Sequence, residues 1–183
     1  MQVVVINGSP LEKGITTQIT DIVLKGCDVK TYYAYKANIK PCIDCKYCFR
    51  NPNECIYKDE FQVMIEDISQ ADLVVLASPL HFSSFSGELL SSISRMQYLF
   101  ALKYVHKQEL PFKKKKALTI ITAGNNYPTM FDAIKPVDSL IFSHINATNI
   151  QRLLIKETDK YTVDELTEIY KDEIKEIQNY INS

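Results

Sequence analysis

The sequence predicts an α/β protein: a doubly wound, five-stranded parallel sheet covered by helices on both faces in three layers. Three short, almost continuous apolar runs, 2–6, 72–77 and 117–122, are rich in Val, Ile and Leu, as central parallel strands buried on both faces must be. Segments with apolar residues at helical spacing lie between them, so strand and helix alternate along the chain. In such a sheet, ligands collect beyond the carboxyl ends of the strands where the strand order reverses.

The elements follow in order. The run 2–6 is the first strand and 16–25 the first helix. Residues 28–35 alternate apolar and polar more than the central runs and read as a strand nearer the edge. The pattern over 59–70, with Phe61, Met64, Ile65 and Ile68 on one face, predicts a helix leading into the strand 72–77. A long helix is expected from Ser86 to about His106, then the strand 117–122. A helix over 128–142 is expected to be kinked or divided by Pro136, a fifth strand covers 149–156, and a terminal helix runs over 162–181 with Asp164 to Lys175 on its solvated face. Met64 and Met96 belong to the core, and Cys27 reads as a small buried hydrophobe.

With 183 residues, 46% hydrophobic and 23% charged, the chain suits one domain over 1–183 with one sizeable core, and no repeat or linker argues for a second. A net charge of −1 gives no footprint for nucleic acid or an anionic membrane. The basic run Lys113–Lys116 reads as a solvated strand entry. The start of the chain lacks a signal-peptide pattern and no apolar run reaches the length of a membrane span, so a cytoplasmic protein is expected.

In a reducing compartment, cysteines are ligands or redox-active thiols more readily than structural disulfides. Four of the five cysteines, Cys42, Cys45, Cys48 and Cys55, fall in the insertion-like loop 41–55, "PCIDCKYCFRNPNEC". Three thiols at successive x2 spacings can face one small inorganic core, and Cys55 can return after the turn-forming Asn51-Pro52-Asn53. Zinc is less natural, because none of His81, His106 and His144 is near this loop in sequence. The spacing leaves open a cluster, redox-responsive thiols, or zinc or another metal.

Three loops leave the carboxyl ends of the central strands. The first, Asn7 to Thr17, offers two glycines, three hydroxyls and the exposed N–H groups of a helix start, an arrangement suited to a phosphate; a ligand-free helix cap by Thr16 or Ser9 is the plain alternative. It is neither a Walker A nor a dinucleotide fingerprint, which disfavours an NTPase or a Rossmann dehydrogenase. The second, Ala77 to Gly87, combines proline, aromatic and hydroxyl side chains without a charge and suits a flat, uncharged ring. The third, Thr122 to Tyr127, carries amide side chains that can bond a heterocycle's edge.

The strings "INGSPLEKGITTQI", "IKPCIDCKYC" and "CIYKDEFQVMIEDISQADLVVLASPLHFSSFSGELLSSISR" resemble the NAD(P)H-dependent FMN reductase family of flavodoxin-like fold, especially its iron–sulfur flavoprotein branch. The resemblance implies that Ser9, Thr16 and Thr17 hold the FMN phosphate with Pro10 and Ile15 beside them, and that Pro79, Leu80, His81, Phe82 and Ser83 line the isoalloxazine. Thr122, Ala123, Gly124, Asn125 and Asn126 would approach the pyrimidine side, and Cys42, Cys45, Cys48 and Cys55 fall where the iron–sulfur branch ligates a 4Fe-4S cluster.

There are departures from the family pattern. Leu11 replaces a basic residue and Ile15 an asparagine, which should weaken FMN; His81 replaces a tyrosine, and Leu90 and Ser94 replace a Lys and an Asp, while Arg95 remains.

The expected activity is hydride transfer from NAD(P)H through FMN to a small acceptor such as a quinone, with His81 either a hydrogen-bond or proton donor beside the flavin or a packing substitute for an aromatic side chain. Two alternatives stand beside it: an iron–sulfur electron-transfer protein served by a ferredoxin, and a flavodoxin-like protein that has lost FMN. The family resemblance also implies a homodimer or higher homo-oligomer.

Overall fold

The computed structural model describes Met1–Ser183. Its elements are β1 (Gln2–Asn7), α1 (Ile15–Val23), β2 (Asp28–Tyr33), α2 (Tyr47–Arg50), α3 (Glu60–Gln70), β3 (Leu73–Pro79), α4 (Gly87–Ser94) and α5 (Gln97–Phe100). A π-helical turn at Ala101–Val105 follows, then β4 (Lys115–Thr122), α6 (Ile134–Ser143), β5 (Ala147–Ile155), α7 (Val163–Ile169) and α8 (Lys171–Asn182). All strand pairs are parallel in the order β2-β1-β3-β4-β5. The chain steps from β1 to one side, then crosses back to β3 on the other, so the switch point lies between β1 and β3. The expected flavodoxin-like doubly wound sheet is present.

Side chains alternate between two cores because the strand period is two. Val3, Val5, Leu73, Val75, Leu118 and Ile120 pack with Ile19 of α1 and Ile174 and Ile177 of α8. Val4, Ile6, Val74, Leu76 and Ile121 pack on the other face with Phe61, Met64 and Ile68 of α3 and Phe142 of α6. Met64 and Met96 are buried as expected, whereas Cys27 is only half-buried at the edge of the first of these cores.

Four local expectations are corrected. The long helix after Ser86 breaks at Arg95 and Met96, and its last stretch is a π-helical turn. Pro136 neither kinks nor divides a helix: α6 starts at Ile134, and Pro136 sits in its first turn, where a missing N–H leaves no intrahelical bond unmade. The terminal helix is two helices, divided at Tyr170, whose hydroxyl accepts from the Lys156 N–H at 3.0 Å.

The basic run is the fourth. Lys113 is exposed and paired with Asp72, but Lys115 is buried and its Nζ donates to Ile68 O (2.5 Å) and Ser69 O (3.3 Å) at the end of α3. Lys116 Nζ donates to Tyr180 O (2.8 Å) and Ile181 O (3.1 Å) near the end of α8. Both lysines therefore satisfy last-turn carbonyls and oppose the negative end of a helix dipole. Burial, and after it the charge of Lys113, pushes Lys115 down to about 8.

Candidate functional site

The first loop is closed around its own backbone. Buried Asn7, the last residue of β1, accepts from Ser9 N–H (2.8 Å) and donates to Thr17 Oγ1 (3.0 Å). Ser9 Oγ (2.9 Å), Thr17 Oγ1 (3.2 Å) and Gly14 N–H (3.0 Å) all donate to Leu11 O. A Cβ on Gly14 would stand 3.1 Å from Leu11 Cβ and 3.2 Å from Leu11 O, so the tight loop suits glycine. The hydroxyls of Ser9 and Thr17 thus shape the loop, and neither Ser9 nor Thr16 caps α1.

Helix α1 opens at Ile15 with Gly14 as N-cap and no side-chain cap, and the N–H groups of Ile15, Thr16 and Thr17 meet no protein acceptor. These are the donors, with the positive end of the helix dipole, that an anionic group needs. Pro10 and Leu11 are exposed beside them.

The other two loops converge on this one. Gly8 N–H donates to Ala77 O (2.7 Å), and Leu80 N–H donates to Thr122 O (2.8 Å). Thr16 Oγ1 and Thr122 Oγ1 share a buried hydrogen bond of 2.6 Å, which binds the first loop to the third. Gly8 allows the approach: a Cβ there would lie 2.5 Å from Ser86 Oγ and 2.8 Å from Leu89 Cβ.

In the second loop, His81 and Ser84 exchange backbone hydrogen bonds of 2.9 and 3.0 Å around Phe82 and Ser83, both left-handed (φ 49° and 59°). That is a tight turn with two positive φ angles, the geometry that Asn-Gly usually fills, at a cost of about 1–3 kcal/mol per strained residue. The turn lifts Phe82 fully into solvent, while His81 is exposed and Pro79 and Leu80 half-buried. Ser83 Oγ and Tyr127 OH, 2.8 Å apart, join this loop to the third. In the third loop Thr122 and Ala123 are buried, and Asn125 and Asn126 extend into solvent.

Sequence reasoning missed a further wall. Thr158 N–H donates to Ala123 O (3.0 Å) and Glu157 N–H to Asn125 O (3.3 Å), which staples the loop after β5 onto the third loop. The Asp159 carboxylate lies in the space that a Cβ on Gly124 would occupy, so a larger residue there would have to push this exposed side chain aside. No local pattern marks Asp159; its role comes from the adjacency of β4 and β5.

The four loop cysteines line one small concavity, of about 20 Å³, together with Tyr57, Arg95 and Tyr98. None is in a disulfide, and no group of three or more Cys, His, Asp or Glu side chains is arranged to hold a metal ion. Left-handed Asp44, Lys46 and Asn53 and the short α2 wind the loop round this space. Burial first, then the neighbouring Cys55, Cys42 and Cys45, pushes the Cys48 thiol above its ordinary range.

Distant residues hold the loop in place. Cys42 N–H donates to Ser94 Oγ (3.0 Å), and His106 Nε2–H donates to Cys48 O (2.8 Å). His106 is thus beside the loop in space although far from it in sequence. Arg95 donates to Lys40 O (3.0 Å) before the loop, to Tyr57 O (3.4 Å) after it, and to Asp59 Oδ2 (2.8 Å). Asp59 also caps α3. Burial acts to raise its carboxyl, but the hydrogen bonds from Arg95, Lys40 N–H and Phe61 N–H outweigh this and hold it below the usual carboxylate range.

The strand order and the loops gathered at its switch point define a flavodoxin-like α/β protein. The chain belongs to the NADPH-dependent FMN reductase family, whose model matches residues 1–156. It is 27% identical over 105 residues to an iron-sulfur flavoprotein of Methanocaldococcus jannaschii, covering 55% of this chain and 53% of that one. It is 26% identical over 129 residues to a putative NAD(P)H-dependent FMN-containing oxidoreductase of Bacillus subtilis, covering 69% and 68%. The chain spans little more than half the length of the first iron-sulfur flavoproteins it matches, 53% and 57%. A FMN-dependent NADH-azoreductase from Bacillus anthracis, solved in complex with FMN, superposes with a TM-score of 0.66 at 14% identity over 100% of this chain and 99% of that chain, and shares the fold. No helix is long and apolar enough to cross a membrane.

Proposed function

We propose that this chain is an NAD(P)H-dependent flavin oxidoreductase that holds FMN on the rim formed by the loops after β1, β3 and β4. One observation carries the reading: three loops bonded to one another at the switch point present free first-turn N–H groups on one side and an uncharged, aromatic-tipped loop on the other. These features suit FMN, with its anionic phosphate and flat ring. Bound there, FMN supplies acceptance of a hydride from a nicotinamide and delivery of electrons to a small-molecule acceptor.

The chain's own residues position the group. The N–H groups of Ile15, Thr16 and Thr17 and the α1 dipole offset the phosphate charge, so the side chains missing at Leu11 and Ile15 weaken binding without abolishing it. Ser9 and Thr17 keep the loop closed, and Thr16 fastens it to Thr122. Pro79 to Ser83 supply an uncharged wall, Gly124 leaves room beside Asp159, and the Asn125 and Asn126 amides reach the heterocycle's polar edge. His81, exposed on the same turn, supplies a hydrogen-bond donor. The proposed setting is the cytoplasm, the proposed working unit residues 1–183 as a homo-oligomer, and the proposed partners a nicotinamide and a quinone-type acceptor.

The test is anaerobic titration of the FMN-loaded protein with NADH and with NADPH. Bleaching of the flavin by either nicotinamide, reversed by a quinone, is the expected result. Flavin that stays oxidised with both but is bleached by a reduced ferredoxin makes the chain an electron carrier instead. A folded chain that takes up no FMN has lost the cofactor.

A second reading concerns the loop. Four thiols lining one cavity are the donor set that an iron–sulfur core takes. Cys42, Cys45, Cys48 and Cys55 are the proposed ligands of a 4Fe-4S cluster, which would supply one-electron transfer to the flavin side. Iron and acid-labile sulfide analysis after anaerobic purification tests it, and intact thiols without iron contradict it.

A further inference from the structure

The wall of the four-cysteine pocket contains one cation that solvent does not reach. Arg95 is 1% exposed, and between Glu88 and Lys103 it is the only charged residue of an otherwise neutral stretch. Its guanidinium lies over the rings of Phe61 (4.7 Å to the centroid) and Tyr57 (5.1 Å). Nη1 and Nη2 are spent on Lys40 O, Asp59 Oδ2 and Tyr57 O. Nε–H has no acceptor; together with Ser86 Oγ it makes up the buried side-chain polar atoms of the chain left without a partner. A buried charged donor without an acceptor is costly, and Asp59, already accepting from Arg95 Nη1 and from Lys40 and Phe61 N–H, does not relieve it. The same cavity is lined by the four sulfurs and by Asp44 (paired with Lys46), Tyr47 (whose hydroxyl donates to Glu54), Tyr57, Gln97 and Tyr98; of these, the sulfurs are the acceptors that a bound inorganic core makes anionic. A neutral thiol is a weak acceptor, whereas a thiolate or an inorganic sulfide is a strong one for a charged donor.

We propose that Arg95 is a positioning residue for an anionic sulfur centre in this pocket: its Nε–H donates to a thiolate or sulfide sulfur of the core held by Cys42, Cys45, Cys48 and Cys55, and its charge offsets that core's. This rests on reading the loop as the ligand set of a 4Fe-4S cluster. Hydrogen bonds to cluster sulfurs and nearby positive charge favour the more negative, reduced state, so Arg95 raises the centre's reduction potential. The same side chain ties both ends of the loop, so geometry and potential are set together.

The test uses the full chain, reconstituted anaerobically with ferrous iron and sulfide, as wild type, Arg95→Lys and Arg95→Gln. Lysine keeps a cation within reach of Asp59 and lacks the guanidinium Nε–H; glutamine loses the charge as well. The expected result is wild-type iron and sulfide content in Arg95→Lys with a midpoint potential shifted to more negative values. Arg95→Gln is expected to shift further or to load less iron. Full loading of both variants at the wild-type potential overturns the proposal and leaves Arg95 a loop clamp, with the cluster reading intact. A wild type that takes up neither iron nor sulfide overturns the cluster reading and the proposal with it. Electron–nuclear double resonance on the reduced wild type, grown with isotopically labelled arginine, serves even if a variant does not fold. A nitrogen coupling to the cluster is expected, and its absence overturns the proposal.

Discussion

The rim and the cysteine pocket are both built from loops, yet they are held in opposite ways. The rim is fastened by backbone groups and small hydroxyls, as in Gly8 to Ala77, Leu80 to Thr122 and Thr16 to Thr122, and no ion pair crosses between its three loops. The pocket is fastened by the buried Arg95–Asp59 ion pair, which joins the end of α4 to the cap of α3, and by Ser94 and His106 at and beyond the end of α4. A site held by backbone tolerates the side-chain changes seen at Leu11 and Ile15. A site held by one buried ion pair fails when either partner is lost.

The largest way to break this contrast is Asp59→Ala. It leaves Arg95 buried without its carboxylate and removes the α3 cap, and it is expected to cost roughly 3–5 kcal/mol, read as a lower urea midpoint. FMN uptake by the protein that remains folded should be unchanged. An unaltered midpoint would show that the pair does not hold the pocket.

Acid sharpens the contrast further. The Asp59 carboxyl is held below its ordinary value, so its stabilisation is fully present above about pH 4 and is lost as the pH falls through the depressed folded value. Stability measured from pH 6 down to pH 3 should therefore fall more steeply in the wild type than in Asp59→Asn. Parallel curves would assign the acid limb to other carboxylates.

On the rim, Gly8→Ala drives a methyl into Ser86 Oγ and Leu89 and is expected to cost about 1–3 kcal/mol, with weaker FMN binding because the first loop is pushed from the second. Smallest is Thr16→Val, which removes the hydrogen bond to Thr122. About 1 kcal/mol of stability and less than about a tenfold loss of FMN affinity are expected, from thermal melts and fluorescence titration. A larger loss of affinity would mean that the Thr16 hydroxyl itself holds the phosphate.

The same contrast explains what could be read in the sequence. The sheet was legible because strands buried on both faces leave continuous apolar runs, and its switch point then brings the loops after β1, β3 and β4 together without further information. The break at Arg95 and Met96 was not legible, because the apolar spacing continues through it into α5. Nor was the fate of the basic run, since Lys115 and Lys116 are drawn onto helix ends that only the packed fold supplies.

In the site, the cysteines announced themselves by spacing, but their clamps are 52 to 58 residues away in the pairs Cys42–Ser94 and Cys48–His106. One signal was available: a lone arginine in an uncharged helical stretch needs a buried partner, and Asp59 is the cap of the preceding helix. Asp159 left no such trace.

The account stands most directly on whether the rim takes FMN. Titration of the folded, flavin-free chain with FMN, followed by quenching of the flavin fluorescence, should give saturable uptake of one FMN per chain, with riboflavin, which lacks the phosphate, bound more weakly. No saturable uptake by correctly folded protein, or equal affinity for FMN and riboflavin, would contradict a cradle whose first loop exists to hold a phosphate.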